Sequence, residues 1–292
     1  MGDQGTKVGV LGGGTMGVGI AIVMVRAGHQ VLLRDTTDQG VEAGLKGVAA
    51  FLDRSLKLGK LDADAHAAAL ARLSGTTEVA DLADREVIVE AIFEDVELKA
   101  EAFAELEALC GPDTLFHTNT STLSVTAIAG KMRDPARVVG THYCNPAPLM
   151  KLVEVVSGLK TGGDAVARTV AFLEGLGKTT VRCGDTPGFI VNRFLVPFEN
   201  DCIRALDAGM GTVESIDTAV EAGLRYPMGT FRLLDIVGLD IHKAVSLSLY
   251  DQLRDPRYAP PTRVDQMVAA GDLGRKTGRG FYEYETAGLM GT

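Results

Sequence analysis

The sequence is poor in cysteine and short of positive charge. Only four cysteines occur in 292 residues, at positions 110, 144, 183 and 202, and no two of them form a Cys-x-x-Cys pair. We therefore expect reduced thiols in a cytoplasmic protein rather than disulfides or a metal site. Lysine and arginine total 29 against 38 acidic residues, a net charge of −9. This balance argues against a general nucleic-acid binder, which would need to neutralise phosphates.

Long uncharged hydrophobic runs are also scarce. The segment Val8–Val25 has eighteen residues without a charge, but six of them are glycine. Its length would suit a membrane helix, whereas its glycines favour a tight turn. We expect no membrane partner.

Short apolar runs alternate with helix-periodic segments through the first two-thirds of the chain. This βα alternation predicts an α/β fold with a Rossmann-like, doubly wound parallel sheet, in which antiparallel pairing of the later strands stays open. The predicted strands are Lys7–Gly12, Gln30–Asp35, Val87–Ala91, Thr114–Asn119, Arg137–His142, Leu152–Val156 and Thr179–Cys183. The predicted helices between them are Thr15–Ala27, Thr37–Leu58, Val96–Leu109 and Asp164–Leu176.

After Asp185 the pattern becomes helical only. Pro187 suits a first helical turn, so one long helix is expected over Gly188–Ala208, bent at Pro197. Shorter helices are expected at Val213–Ala222, Thr230–Ile236, Asp240–Leu253 and Thr262–Ala270. We therefore predict two domains, a Rossmann-like domain over residues 1–185 and an all-helical domain over residues 186–292.

A glycine-rich segment follows the first strand and opens the first helix. It reads GGGTMGVGIA, with Gly12, Gly14 and Gly17 in G-x-G-x-x-G spacing. Glycines permit the turn and let backbone N–H groups, here those around Thr15 and Met16, reach a pyrophosphate at the helix N-terminus. The glycines alone are a weak signal, but the strand before them and the helix after them predict a dinucleotide site.

An acid closes the next strand at the distance expected for a ribose contact. Asp35 would bind the ribose hydroxyls and repel an added phosphate, which favours NAD over NADP. Arg34, beside it, leaves NADP open at this stage.

Seven blocks occur in the order found in one enzyme family. They read GGGTMGVGIA, VEAIFEDVELK, TNTSTLSVTAIA, GTHYCNPAPLMKLVEVV, GDTPGFIVNRFLVPFENDCIRALDAG, YPMGTFRLLDIVGLD and GRKTGRGFYEY. Over roughly residues 7–284 the chain resembles the L-3-hydroxyacyl-CoA dehydrogenases, particularly the short bacterial 3-hydroxybutyryl-CoA type. The resemblance implies an NAD-dependent oxidoreductase of fatty acid metabolism, with a helical domain that forms a homodimer and an active site between the two domains.

The same resemblance implies roles for particular residues. His142 and Glu154 take the positions of the family's catalytic dyad, and Ser121 and Asn192 take its substrate-binding positions beside them. Four further residues are similar to family residues on the nicotinamide side: Glu90, Lys99, Asn119 and Asn145. One departure stands next to the dyad, where family members usually have two aromatics and this chain has Tyr143 and Cys144.

The chemistry of the residues agrees with such a dyad. Histidine can take a hydroxyl proton near neutral pH, and Glu154, twelve residues after His142, would orient the ring and stabilise its protonated form. A purely structural His–Glu pair is the alternative, since such pairs also occur in structural networks. Asn192 likewise has a structural alternative, a link to backbone.

A coenzyme A substrate requires local positive charge for its phosphates. Arg54, Lys57 and Lys60 are spaced three apart and would lie on neighbouring turns of a helix, so Arg54 and Lys57 are predicted to bind substrate. A solvated charged face is an equally good account of these side chains. The basic GRKTGRG segment is expected to be a structural loop.

Three alternatives to oxidation of an acyl-CoA stay open. They are the same chemistry on an acyl group carried by an acyl carrier protein, oxidation of a free hydroxy acid, and NAD binding without catalysis. The presence together of Ser121, His142, Glu154 and Asn192 argues against the last.

Overall fold

A computed structural model describes residues 5–284 of the chain. It divides into two compact units between Phe189 and Ile190, and each unit is described by itself below. The domain boundary expected after Asp185 lies close to this division. No helix within residues 5–284 is long and apolar enough to cross a membrane.

The first unit is built on an eight-stranded sheet in the order β3-β2-β1-β4-β5-β6-β7-β8. The six strands β1 to β6 run parallel to one another. Strand β7 is antiparallel to β6, and β8 is parallel to β7. The order 3-2-1-4-5-6 is that of a dinucleotide-binding fold, which confirms the predicted fold class. The strands are β1 Lys7–Leu11, β2 Gln30–Arg34, β3 Leu73–Thr76, β4 Val87–Glu90, β5 Leu115–Thr118, β6 Val138–Tyr143, β7 Leu152–Ser157 and β8 Thr179–Gly184.

Helices cover both faces of this sheet. They are α1 Thr15–Arg26, α2 Asp38–Lys57, α3 Ala63–Ala71, α4 Val96–Leu109, α5 Val125–Ile128 and α6 Gly163–Gly175. Because side chains alternate along a strand, β2 sends Val31 and Leu33 into one apolar cluster and Leu32 into the other. The first cluster contains Ile20 of α1, and the second contains Phe103 of α4.

The second unit is helical. Its helices are α7 Val191–Asp207, α8 Val213–Leu224, α9 Thr230–Val237, α10 Leu239–Leu253 and α11 Thr262–Ala270. The two residues that follow the GRKTGRG segment are held against α9, because the Asp235 carboxylate accepts the N–H groups of Phe281 and Tyr282, both at 2.9 Å. The role of the segment as a structural loop stays a prediction.

One expectation about local structure was wrong, and two elements were not expected. The long helix begins at Val191 rather than Gly188, because Gly188 and Phe189 adopt left-handed φ angles of 77° and 48° that no α-helix allows. Helix α3 and strand β3 were missed. Strand β3 reads LSGT and is only partly buried, so pairing with β2 at the sheet edge, rather than an apolar pattern, makes it a strand.

Candidate active site

His142 and Glu154 face each other across β6 and β7. The antiparallel register pairs them directly, so their side chains leave the same face at neighbouring positions. The Nδ1 atom of His142 lies 2.7 Å from Oε2 of Glu154. Glu154 is wholly buried and His142 is 7% exposed, so each charge-bearing group has the partner that its burial requires.

Ser121 lies on the other side of the imidazole. Its Oγ is 3.1 Å from Nε2 of His142. With Nδ1–H donated to the carboxylate, Nε2 carries a lone pair and accepts from the serine hydroxyl, a tautomer that follows from this network. The ring of Phe189 packs 5.7 Å from the imidazole, centroid to centroid. The imidazole is thus fixed with its basic nitrogen towards the Ser121 hydroxyl.

The glycine-rich turn lies at the carboxyl ends of the parallel strands, as does His142 near the end of β6. Gly12 has φ +99°, and its N–H donates to the Arg34 carbonyl at 2.8 Å. Gly14 begins α1 without a side-chain cap, and Gly14 and Thr15 are exposed. The free N–H groups of a helix N-terminus bind phosphate well. Met16, one residue on, packs against the core of the sheet.

Asp35 closes this turn from the end of β2. Its Oδ2 accepts the Gly13 N–H at 2.8 Å, and its Oδ1 accepts the Thr36 N–H at 2.7 Å. The neighbouring Arg34 donates its Nε–H to the Thr77 carbonyl at 3.2 Å. A fixed carboxylate at this position suits two ribose hydroxyls and opposes a ribose phosphate. The turn and its acid therefore fit NAD.

Two predicted nicotinamide-side residues form a buried ion pair. The Nζ of Lys99 lies 2.5 Å from Oε1 of Glu90, and the two side chains are at most 1% exposed. Glu90 also accepts from the Thr118 hydroxyl at 2.7 Å and the Ile92 N–H at 2.8 Å. Burial raises the pKa of Glu90, and the Lys99 ammonium opposes that rise. Glu90 is the last residue of β4, and its partner Thr118 is the last residue of β5, so the pair lies at the carboxyl ends of these strands.

Asn119 and Asn145 lie at the ends of β5 and β6. Asn119 is 8% exposed, and its Oδ1 accepts the Tyr143 N–H at 3.0 Å. Asn145 is exposed in the loop after β6. That loop is held by Lys178, whose Nζ donates to the carbonyls of Ala147 at 2.6 Å and Met150 at 2.8 Å. Lys178 was missed because its partners are distant in sequence.

The remaining predicted residues lie on α2 and α7. Arg54 and Lys57 occupy the last turn of α2 and are exposed. Asn192 is the second residue of α7 and is partly buried in the second unit. Their assignment to substrate stays a prediction.

A second histidine–glutamate pair occurs in the helical unit. Nδ1 of His242 lies 3.1 Å from Oε2 of Glu199, and its Nε2 lies 2.9 Å from Oδ1 of Asn200. Asn200 in turn donates to the Arg257 carbonyl at 3.1 Å. Both ring nitrogens of His242 are therefore occupied by buried protein groups. A general base needs a nitrogen that can reach substrate. Nε2 of His142 faces the hydroxyl of Ser121, which is partly exposed, whereas Nε2 of His242 faces the wholly buried Asn200, so the second pair is structural.

The departure at Tyr143 places a hydroxyl in the core. Tyr143 is 2% exposed within the apolar cluster that contains Ile20, and its OH has no hydrogen-bond partner among the described residues. Burial raises the pKa of the Tyr143 phenol. Cys144 is partly buried, and burial, with the Glu154 carboxylate, raises the pKa of its thiol. Tyr143, the first of the two departures from the family pattern, therefore changes the packing of the apolar cluster and leaves the His142–Glu154 pair intact.

Replacing Tyr143 with phenylalanine is expected to stabilise the protein by about 1 kcal/mol, because a buried hydroxyl without a partner is removed. Thermal unfolding measures the change. Tyr258→Phe is the matched control, since that hydroxyl donates to the Arg193 carbonyl at 2.9 Å and its loss should destabilise. A loss of stability in Tyr143→Phe equal to that of the control would mean that the Tyr143 hydroxyl has a partner.

Comparison with known proteins agrees with this geometry. Residues 7–186 match the 3-hydroxyacyl-CoA dehydrogenase NAD binding domain, and residues 188–284 match the C-terminal domain of the same family. A 3-hydroxybutyryl-CoA dehydrogenase from Mycobacterium tuberculosis is 43% identical over 97% of this chain and 100% of its own. A 3-hydroxyadipyl-CoA dehydrogenase from Escherichia coli is 41% identical over 95% of this chain and 58% of its own.

Solved structures give the same result. The crystal structure of M. tuberculosis FadB2 superposes with a TM-score of 0.94 at 42% identity, covering 97% of this chain and 100% of that one. The structure of the (S)-3-hydroxybutyryl-CoA dehydrogenase PaaH1 of Ralstonia eutropha superposes with a TM-score of 0.89 at 38% identity. The match covers 96% of this chain and 99% of that one.

The sheet order, the glycine turn and the buried dyad define an NAD-dependent oxidoreductase that acts on a CH–OH group. The chain belongs to the 3-hydroxyacyl-CoA dehydrogenase family. The family resemblance and the cofactor predicted from the sequence are thereby confirmed.

Proposed function

We propose that the protein catalyses reversible oxidation of a short or medium L-3-hydroxyacyl-CoA, such as 3-hydroxybutyryl-CoA, to the 3-ketoacyl-CoA. The observation that carries the proposal is the imidazole of His142, held between Glu154 at 2.7 Å and Ser121 at 3.1 Å. The names of the relatives from M. tuberculosis and R. eutropha support the short acyl chain.

In this mechanism bound NAD supplies the hydride acceptor. The Ser121 hydroxyl, which donates to Nε2 of His142 when no substrate is bound, turns to donate a hydrogen bond to the substrate 3-oxygen, and Nε2 takes the proton of that 3-hydroxyl group. Glu154 keeps Nδ1 protonated and stabilises the imidazolium that forms, as an orienting acid does in a triad. In the reverse direction the imidazolium returns the proton to the developing alkoxide.

Absorbance of NADH measures this reaction directly. The protein is assayed with L-3-hydroxyacyl-CoA substrates of increasing chain length, with the same acyl group on an acyl carrier protein, and with free 3-hydroxybutyrate. Highest kcat/KM on a short CoA thioester is the expected result. A higher kcat/KM on the carrier-bound substrate or on the free acid would make that compound the substrate instead. If none of the three kinds of substrate were turned over, the protein would bind NAD without catalysis.

The basic last turn of α2 is proposed to contact the CoA phosphates. We expect Arg54→Ala with Lys57→Ala to raise KM for the CoA thioester about tenfold, which corresponds to about 1.4 kcal/mol, with little change in kcat. Lys46→Ala on the same helix is the control, since its exposed lysine pairs with Glu42. Unchanged KM in the double variant would remove these residues from the substrate site.

We also propose a homodimer formed by the helical unit. Large apolar side chains remain exposed there, including Phe194 at 73%, Met210 at 79% and Leu224 at 56%. Exposed apolar groups of this kind are common at subunit interfaces. Sedimentation velocity would give the mass, and a monomer at micromolar concentration would contradict the proposal.

A further inference from the structure

A buried phenylalanine beside the dyad has a backbone conformation that its own side chain disfavours. Phe189 has a φ of 48°, directly after Gly188 with a φ of 77°. The other two non-glycine residues of 5–284 with positive φ, Arg225 and Arg254, are exposed helix C-caps, where this conformation is common. Phe189 is no such cap, and a bulky residue at positive φ is a genuine outlier. Strain of this kind persists only where the surrounding structure maintains it, and it is concentrated at functional sites.

Asp185 anchors the segment that leads to Phe189. Its carboxylate accepts three hydrogen bonds from the N-terminus of α5: the Ser124 hydroxyl at 2.7 Å, the Val125 N–H at 2.9 Å and the Thr126 N–H at 2.8 Å. Such N–H groups have no partner within their own helix, so the carboxylate satisfies donors that α5 leaves open. The Phe189 N–H then donates to the Thr186 carbonyl at 2.9 Å. The segment is thus tied to α5 at its start and turned by its own backbone at its end.

This turn places the Phe189 ring against the imidazole. The ring centroids of Phe189 and His142 lie 5.7 Å apart, with 57° between the ring planes. Glu154 holds Nδ1 of the imidazole at 2.7 Å, but the χ2 torsion of histidine is soft, so one hydrogen bond does not fix the ring plane. Phe189 is 4% exposed, in the apolar cluster that contains Phe103. Its ring therefore cannot move away from the imidazole without opening that cluster.

We infer that Phe189 is a positioning residue for His142. Its ring restricts rotation of the imidazole and keeps Nε2 directed at the Ser121 hydroxyl, 3.1 Å away, and its left-handed backbone is what places the ring there. The inference rests on the proposed function, in which Nε2 takes the substrate proton. Phe189 acts through His142, and all of these residues belong to the first unit.

Kinetics of Phe189→Leu test this role. A displacement of about 1 Å in a reacting group can cost about 100-fold in rate, so we expect kcat with an L-3-hydroxyacyl-CoA to fall about 10- to 100-fold, with NADH affinity within about threefold of the wild type. Phe103→Leu is the matched control, because that ring is wholly buried in the same cluster and packs on Phe116 at 5.3 Å. It should lower the unfolding temperature and keep the wild-type kcat. Equal losses of kcat in the two variants would overturn the inference.

A comparison of Phe189→Ala with Phe189→Gly separates the ring from the backbone. Both variants lack the ring, so they should have the same reduced kcat. Only glycine adopts a φ near 48° without strain, and the strain of alanine there outweighs its lower entropy in the unfolded chain. Phe189→Gly should therefore unfold at the higher temperature. An alanine variant at least as stable as the glycine variant would contradict the left-handed placement of the ring.

A double-mutant cycle with His142→Gln shows whether the ring acts through the imidazole. Once the imidazole is gone, Phe189→Leu should have little further effect on kcat. Losses that multiply would mean that Phe189 serves the reaction in some other way, and the inference would fail.

A readout without substrate distinguishes this inference from the proposed function. In a crystal structure of Phe189→Ala, the distance from His142 Nε2 to Ser121 Oγ should exceed hydrogen-bonding range, about 3.5 Å. A displaced imidazole together with a wild-type protein inactive on every acyl-CoA would overturn the function and keep the positioning role. An undisplaced imidazole in an active enzyme would do the reverse.

Discussion

Replacing His142 with glutamine is expected to lower kcat for an L-3-hydroxyacyl-CoA about 1,000-fold, within the range attributed to general bases. Glutamine can still donate a hydrogen bond to Glu154, so the buried carboxylate keeps a partner. It cannot accept the substrate proton. NADH binding should remain near normal, because the glycine turn and Asp35 contact each other rather than the imidazole. Steady-state kinetics and NADH fluorescence titration measure the two quantities.

The same substitution at His242 is the control for this experiment. That residue also pairs with a buried glutamate, at 3.1 Å, but its Nε2 faces the wholly buried Asn200 instead of a partly exposed serine hydroxyl. His242→Gln should therefore lower the unfolding temperature and leave kcat of the folded protein close to the wild type. An equal loss of turnover and NADH binding in His142→Gln would instead show that His142 has a structural role like that of His242.

The parts of this fold that sequence could predict are those with local signals. The first strand, the glycine turn, α1 and Asp35 lie within about thirty residues, and each has its own pattern of period or spacing. Helices α4 and α11 begin and end at the residues expected, Val96–Leu109 and Thr262–Ala270. Helix α3 carried a signal that was overlooked, an alanine-rich segment with Asp62 as its N-cap.

Long-range contacts could not be predicted in this way. Glu94 carries no signal of its own, because its partners in the Thr120–Thr122 turn are 26 to 28 residues away. The left-handed φ of Phe189 is also not a local preference. It is maintained by tertiary packing, since the side chain is 4% exposed in the cluster with Phe103.

The His142–Glu154 dyad depends on both a local sequence pattern and a long-range contact. Alternation along two strands indicates that His142 and Glu154 can point inwards, but only the antiparallel register of β6 and β7 puts them opposite each other. A slip of one residue would send Glu154 to the other face. Alternation alone does not predict that His142 and Glu154 pair. The family resemblance, carried by the order of the motifs, implied this pairing.

The second large effect is expected at Gly17. An ideal Cβ on this residue would lie 1.9 Å from the Gly12 carbonyl oxygen, so Gly17→Ala must push α1 away from the turn. We expect NADH affinity to fall about 100-fold or more, equivalent to about 2.8 kcal/mol. The free energy of unfolding should also fall by about 2–4 kcal/mol, because the obstruction is backbone and cannot move cheaply. Fluorescence titration and thermal unfolding give the two values.

Gly14→Ala separates the two functions of the glycine turn. A Cβ there meets nothing within 4 Å, so the stability change should stay within about 0.5 kcal/mol. The added methyl group would nevertheless stand at the open N-terminus of α1, where the second glycine of the motif lets backbone approach the pyrophosphate. NADH affinity should therefore fall about tenfold without unfolding. Should both variants lose affinity equally with no difference in stability, Gly17 would not be needed for close packing of α1.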